Sequence, residues 1–149
     1  MKTIRLPARQ DNLRVMIDFV SGLARERGFG PKRILEVELA AEEALVNILT
    51  YAYPKGEGDI EIACKGEGGS RLTFEIKDYG VAFDPLSFPV PDLLVELAIR
   101  RVGGLGVFFV RQMADHVEYR RSENANVLTL TFTNREPQKW VNSTHTEGN

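Results

Sequence analysis

The sequence predicts an α/β (α+β) fold, a two-layer sandwich in which a mostly antiparallel, mixed sheet carries helices on one face. Three observations lead there. Two long stretches near the start repeat apolar residues at helical spacing, and four short stretches alternate apolar with polar. The short stretches fall in adjacent pairs joined by turn-forming residues, which makes hairpins and so antiparallel neighbours. The order α-α-β-β-loop-α-β-β leaves apolar helix stripes to be buried against one side of that sheet.

The chain has 149 residues, the size of one domain with a real core. We expect a domain over 1–135 and a loose tail over 136–149, which is polar and without periodicity. The formal net charge of -2 argues against nucleic acid as a direct partner. No apolar run approaches the ~20 residues needed to span a bilayer. Residues 1–9 are mixed and polar with no apolar signal-peptide core, so a cytoplasmic location is expected.

The first helix is expected over about 12–27, where Leu13, Met16, Ile17, Val20 and Leu23 share one face. Asp11 or Asn12 can cap its start and Gly28 can end it. Phe19 and Phe29 offer either a partner surface or core packing. A second helix starts at Gly30-Pro31, with proline at its first position. Its stripe of Ile34, Val37, Ala41, Leu45 and Ile48 runs to about Ala52 and stops at Tyr53-Pro54.

Strands are expected at 60–65 and 71–77, with Ile60, Ile62, Cys64 and Leu72, Phe74, Ile76 facing the core. Cys64 is the only cysteine, so no internal disulfide forms, and its setting reads as a buried strand position. With only two scattered histidines, His116 and His145, no zinc set is expected. Residues 78–91, rich in Gly, Pro, Asp and Phe, read as an ordered loop. A short helix over 92–100 follows, and then a glycine cluster opens a helix bearing Val107, Phe108, Val110, Arg111 and Met113. Two last strands, about 116–121 and 127–133, enclose a turn at 122–126.

Three segments carry candidate chemistry. Glu43 and Asn47, four apart on the second helix, lie on one face with Cβ atoms roughly 5–6 Å apart. An amide oxygen is a hard ligand for Mg²⁺, and a carboxylate beside it can orient or deprotonate a nucleophile. The same pair also reads as a solvated Glu and a helix-end Asn. Asp78-Tyr-Gly80-Val-Ala82 follows a strand. A carboxylate there can accept a hydrogen bond from a base amine while the glycine admits a flat ring, although a simple turn is equally served. Gly103-Gly104-Leu105-Gly106 opens a helix, so its N–H groups and the helix dipole suit a phosphate, with Arg100 and Arg101 just upstream, although a glycine cluster alone also reads as a flexible loop.

Each segment is modest alone, but their order and spacing resemble the GHKL ATPase superfamily of histidine kinases and gyrase. Glu43 to Asn47 is similar to its N box, Asp78-x-Gly80 to its first glycine box and Gly104-Leu105-Gly106 to its second. The stretches 38–47, 77–85 and 103–119 more closely resemble the anti-sigma-factor serine/threonine protein kinases of sporulation and stress systems, over about residues 6–132.

The resemblance implies a histidine-kinase-like ATPase (Bergerat) fold that uses ATP and Mg²⁺. Asn47 would bind the metal and Glu43 would be the general base. Asp78 would take the adenine amine, with Gly80 and Ala82 beside it. Gly104, Leu105 and Gly106 would flank the phosphates, and Arg100 or Arg101 would meet the γ-phosphate. It also implies a homodimer whose partners are an anti-anti-sigma factor, as phosphorylated substrate, and a sigma factor. Ala82 departs from the family's Asp-x-Gly-x-Gly, and alanine disfavours positive φ. A histidine kinase is the nearest alternative, but neither histidine lies on an N-terminal helical hairpin. A module that binds nucleotide and sequesters a partner without phosphorylating it is the other.

Overall fold

The computed structural model describes residues 1–66, 70–87 and 110–134. The elements are β1 (Lys2–Pro7), α1 (Leu13–Glu26), α2 (Pro31–Tyr51), β2 (Asp59–Gly66), β3 (Arg71–Asp78), β4 (His116–Ser122) and β5 (Ala125–Thr133). The strands form one sheet in the order β1-β2-β3-β5-β4. Every pairing among them is antiparallel, so the parallel component of the expected mixed sheet is not realised there.

The register explains the two layers. Ile4, Ile62, Ile76, Leu128 and Tyr119 form one cross-strand row, and Lys2, Cys64, Phe74, Leu130 and Val117 form the next. Strand alternation puts these rows on one face. Most of their apolar members are buried with Met16, Val20, Val37 and Leu45 of the two helices. The opposite face carries the polar alternates, including the Lys65–Glu75 ion pair at 3.6 Å. Cys64 is buried as expected, and burial pushes its thiol up.

Helix α1 ends in a Schellman arrangement. Gly28 takes φ +82, its N–H donates to the Arg25 carbonyl, and the Phe29 N–H donates to the Ala24 carbonyl. Phe29 is thereby buried and Phe19 packs against the core, so core packing holds rather than an exposed surface. The expected start cap is absent: Asn12 makes no cap bond, and its Nδ2 instead donates to the Pro7 carbonyl at 2.9 Å. Helix α2 begins as read, with Gly30 extended at its N-cap and Pro31 first in the helix.

Two boundaries differ from expectation. Residues 2–7 form β1, an edge strand whose only apolar alternates are Ile4 and Leu6, too short a signal to separate from a polar terminus. The β4–β5 turn is only Glu123-Asn124, with Glu123 at φ 57, so Ala125 and Asn126 belong to β5. Arg33 locks the helical layer to the sheet. Its buried guanidinium meets Asp115 at 2.6 Å, Glu36 at 2.7 Å and the carbonyls of Met113 and Thr133 at 2.9 and 3.0 Å. Residues 110–113 are helical, in agreement with the end of the helix expected after the glycine cluster. The expected helix at 92–100 and the tail at 136–149 lie outside the described residues.

Candidate functional site

Apart from Lys2 at its edge, the sheet rows named above are apolar on the helix-covered face until the last row, where Leu6 and Ile60 are followed by Asp78, Asn126 and Arg121. Asp78 and Asn126 are directly opposed on β3 and β5, so their side chains meet on one face. Both are buried, at 3% and 4% exposure. Asn126 Nδ2 donates to Asp78 Oδ1 at 2.9 Å, and the Gly80 N–H donates to the same oxygen at 2.9 Å. Burial pushes the Asp78 carboxyl above its usual range, while these two bonds and the charge of Arg121 pull it partly back.

Asp78 and Asn47 line one cleft, with Ile76, Phe83, Tyr119 and Asn126 among its walls. Asn47 is 2% exposed, and its Oδ1 has no hydrogen-bond partner among the described residues. A buried, unmatched amide oxygen is costly unless a ligand meets it. Phe83 closes one side by stacking on Tyr51, with ring centroids 4.9 Å apart. Glu43 sits one turn before Asn47 and is partly buried, yet it does not line this cleft.

Gly80 is also required by the packing of the loop on the end of α2. A Cβ there would lie 2.1 Å from the Ala52 carbonyl oxygen at the end of α2. The same carbonyl accepts the Val81 N–H at 2.9 Å, so the loop is stitched to the helix end. Ala82 is exposed and does not take positive φ, so alanine in place of the family glycine brings no backbone strain. Arg100, Arg101, Gly104, Leu105 and Gly106 lie outside the described residues.

Sequence reasoning missed Asn126, Tyr119 and Arg121. Asn126 Oδ1 accepts from the Tyr119 hydroxyl at 2.7 Å, Arg121 at 3.1 Å and the Phe83 N–H at 3.2 Å. An asparagine inside an apolar strand was the available signal, and its assignment to the turn hid it. Tyr53 was also missed as a site support. Its hydroxyl accepts from the Tyr79 N–H at 2.7 Å and donates to the Asp59 carbonyl at 2.6 Å, which fixes the loop from the far side.

Comparisons with known proteins bear on the family and the fold. The serine-protein kinase RsbW of Listeria monocytogenes serovar 1/2a is 28% identical over 137 residues, covering 89% of this chain and 87% of that protein. The serine-protein kinase RsbW of Bacillus thuringiensis (strain Al Hakam) is 26% identical, covering 89% and 85%. Among solved structures, the RsbU and RsbW domains of Rv1364c from Mycobacterium tuberculosis superpose with a TM-score of 0.63 at 14% identity, over 91% of this chain and 34% of that one. The SiaB-SiaC complex from Pseudomonas aeruginosa gives 0.56 at 13% identity, over 89% of each chain. These two show the shared fold. Residues 6–132 match the histidine kinase-like ATPase domain, and the chain belongs to that family.

Proposed function

We propose that this chain is an ATP-dependent anti-sigma regulatory factor, a serine/threonine protein kinase that phosphorylates an anti-anti-sigma protein and sequesters a sigma factor. The observation that supports it best is the pairing, across one cleft, of buried Asp78 with the unmatched Oδ1 of Asn47. Asp78 Oδ2 receives no hydrogen bond among the described residues and suits a base amine. Asn47 Oδ1 suits one coordination position of Mg²⁺, whose other ligands would be phosphate oxygens and water. Bound Mg²⁺ supplies neutralisation of phosphate charge.

The residues of the chain provide positioning, which is most of what phosphoryl transfer requires. Asp78 orients the base, and Phe83 forms a wall of the cleft beside it. Glu43 is the candidate acceptor for the proton of the attacking hydroxyl. Arg100, Arg101 and the 104–106 glycine segment are assigned to the phosphates by the family pattern. Homodimerisation and a cytoplasmic location complete the reading. Among the described residues no helix is long and apolar enough to cross a membrane.

The test is calorimetric titration with ATP and Mg²⁺ of the wild type, Asp78→Asn and Asn47→Ala. We expect saturable binding, abolished by Asp78→Asn and made metal-insensitive by Asn47→Ala. No binding by the wild type removes the proposal. A second reading is nucleotide-controlled sequestration without phosphorylation, and it differs in what Glu43 does. Glu43→Gln separates the two: loss of phosphotransfer with binding retained supports the kinase.

A further inference from the structure

Asn126 ties down the segment that carries Asp78 at three successive places. Its Nδ2 donates to Asp78 Oδ1 at 2.9 Å and to the Val81 carbonyl at 2.8 Å, and its Oδ1 accepts the Phe83 N–H at 3.2 Å. Tyr119 and Arg121 of β4 hold that same Oδ1, and Arg121 also donates to the Gly80 carbonyl at 2.9 Å. The partners dictate the orientation of the amide. Reversed, its NH₂ would face three donors and its oxygen would face a carboxylate and a carbonyl. Both bonds that Asp78 receives, from Gly80 and from Asn126, end on Oδ1. Among the described residues Oδ2 is left for a ligand, and its direction is set by what grips Oδ1.

We propose that Asn126 is a positioning residue for base recognition: by gripping Asp78 Oδ1 it aims Oδ2 at the 6-amino group of a purine, and it thereby sets the preference for that amine. This rests on the nucleotide reading above. Asn126 need not touch the base, and its contribution is transmitted through one carboxylate. A side chain that merely supported the pocket would affect all nucleotides alike. One that aims Oδ2 affects only the part of affinity that depends on the amine.

The experiment compares ATP with purine riboside triphosphate, the same nucleotide without the 6-amino group, by calorimetry with Mg²⁺ on the full chain. In the wild type the amine is expected to give about tenfold tighter binding, as one hydrogen bond to a charged acceptor does. Asn126→Ala should bring that ratio close to one while the amine-free nucleotide keeps its affinity. An undiminished ratio in Asn126→Ala overturns the proposal and leaves the nucleotide reading intact. A wild type that binds neither nucleotide defeats both.

Where Asn126→Ala fails to fold, the isosteric Asn126→Asp decides. It faces Asp78 from β3, Tyr119 and Arg121 from β4 and, near Tyr119, Asp84 from the loop. At about pH 8 two opposed carboxylates leave Oδ1 without its donor, and the ratio should collapse. Towards about pH 5.5 a proton shared by the pair restores a donor and with it the ratio. The triphosphate titrates alike in both nucleotides and cancels. A ratio flat across this range overturns the proposal.

Discussion

Gly80→Ala tests whether the loop is set by the helix end. The new Cβ would sit 2.1 Å from the Ala52 carbonyl oxygen and 2.5 Å from its carbon, where ordinary contact begins near 3.4 Å. Both atoms are backbone at the end of a 21-residue helix that is buried along one side, so the loop must retreat by more than an ångström. Overpacking of this kind costs about 1–3 kcal/mol, and the retreat also breaks the Val81-to-Ala52 hydrogen bond, worth about 1 kcal/mol. The expected loss is therefore about 2–4 kcal/mol, or roughly 5–15 °C in melting temperature for a chain of this size. The Gly80 N–H is one of the two donors on Asp78 Oδ1, so ATP affinity should fall roughly tenfold or more as well. Thermal unfolding followed by circular dichroism, with calorimetric ATP titration, reads both. Gly22→Ala is the control, since its Cβ meets nothing within 4 Å in α1 and alanine there should stabilise by roughly 0.5–1 kcal/mol. A Gly80→Ala protein that melts within 2 °C of the wild type, while Gly22→Ala behaves as expected, refutes the steric reasoning.

Ala82→Gly should leave ATP affinity within about twofold, because Ala82 is exposed and free of positive φ; a gain of tenfold in titration would show that the position is strained. Arg33→Ala should cost about 3 kcal/mol in urea unfolding, since it leaves two carbonyls and Asp115 without the guanidinium, and a loss below 1 kcal/mol would remove Arg33 as the lock between layers. Burial holds the folded pKa of Asp78 above its unfolded value near 3.8. Its contribution therefore favours the fold below the unfolded value and is lost as pH rises through the folded one. Asp78→Asn should flatten that acid-side slope in urea midpoints measured against pH. With Asp78 taking the base as proposed, ATP binding should weaken on acidification sooner than a pKa of 3.8 would produce.

Most of the fold was legible because its elements announce themselves locally. Helix α2 has a proline start, a continuous stripe and a Tyr53-Pro54 stop, and β2 and β3 alternate cleanly on either side of a turn. Strand β1 was not legible, because two apolar residues among polar ones carry almost no periodic signal. It exists because the β2 edge offers backbone partners from Asp59 to Cys64. The wide turn expected at 122–126 failed for a related reason. Asn126 has the composition of a turn residue, and only its pairing opposite Asp78 makes it a strand residue.

The site divides in the same way. Asp78 and Asn47, which share the cleft, were legible as candidates from motif spacing, since each lies in a short segment with its own pattern. The row that completes the site could not, because Asp78, Asn126 and Arg121 come from three strands and become neighbours only through register. That row also explains how the sequence can depart from the family pattern at Ala82 and keep its pocket. The loop is fixed by Ala52 and Tyr53 on the helix side and by Asn126 and Arg121 on the sheet side, through bonds to Asp78, Tyr79, Gly80, Val81 and Phe83. None of these bonds involves residue 82. Freedom to vary should therefore be greatest at Ala82 and least at Gly80, where the helix end leaves no space for a side chain. Of two glycines that the family motif treats alike, only one is demanded by the packing of this chain.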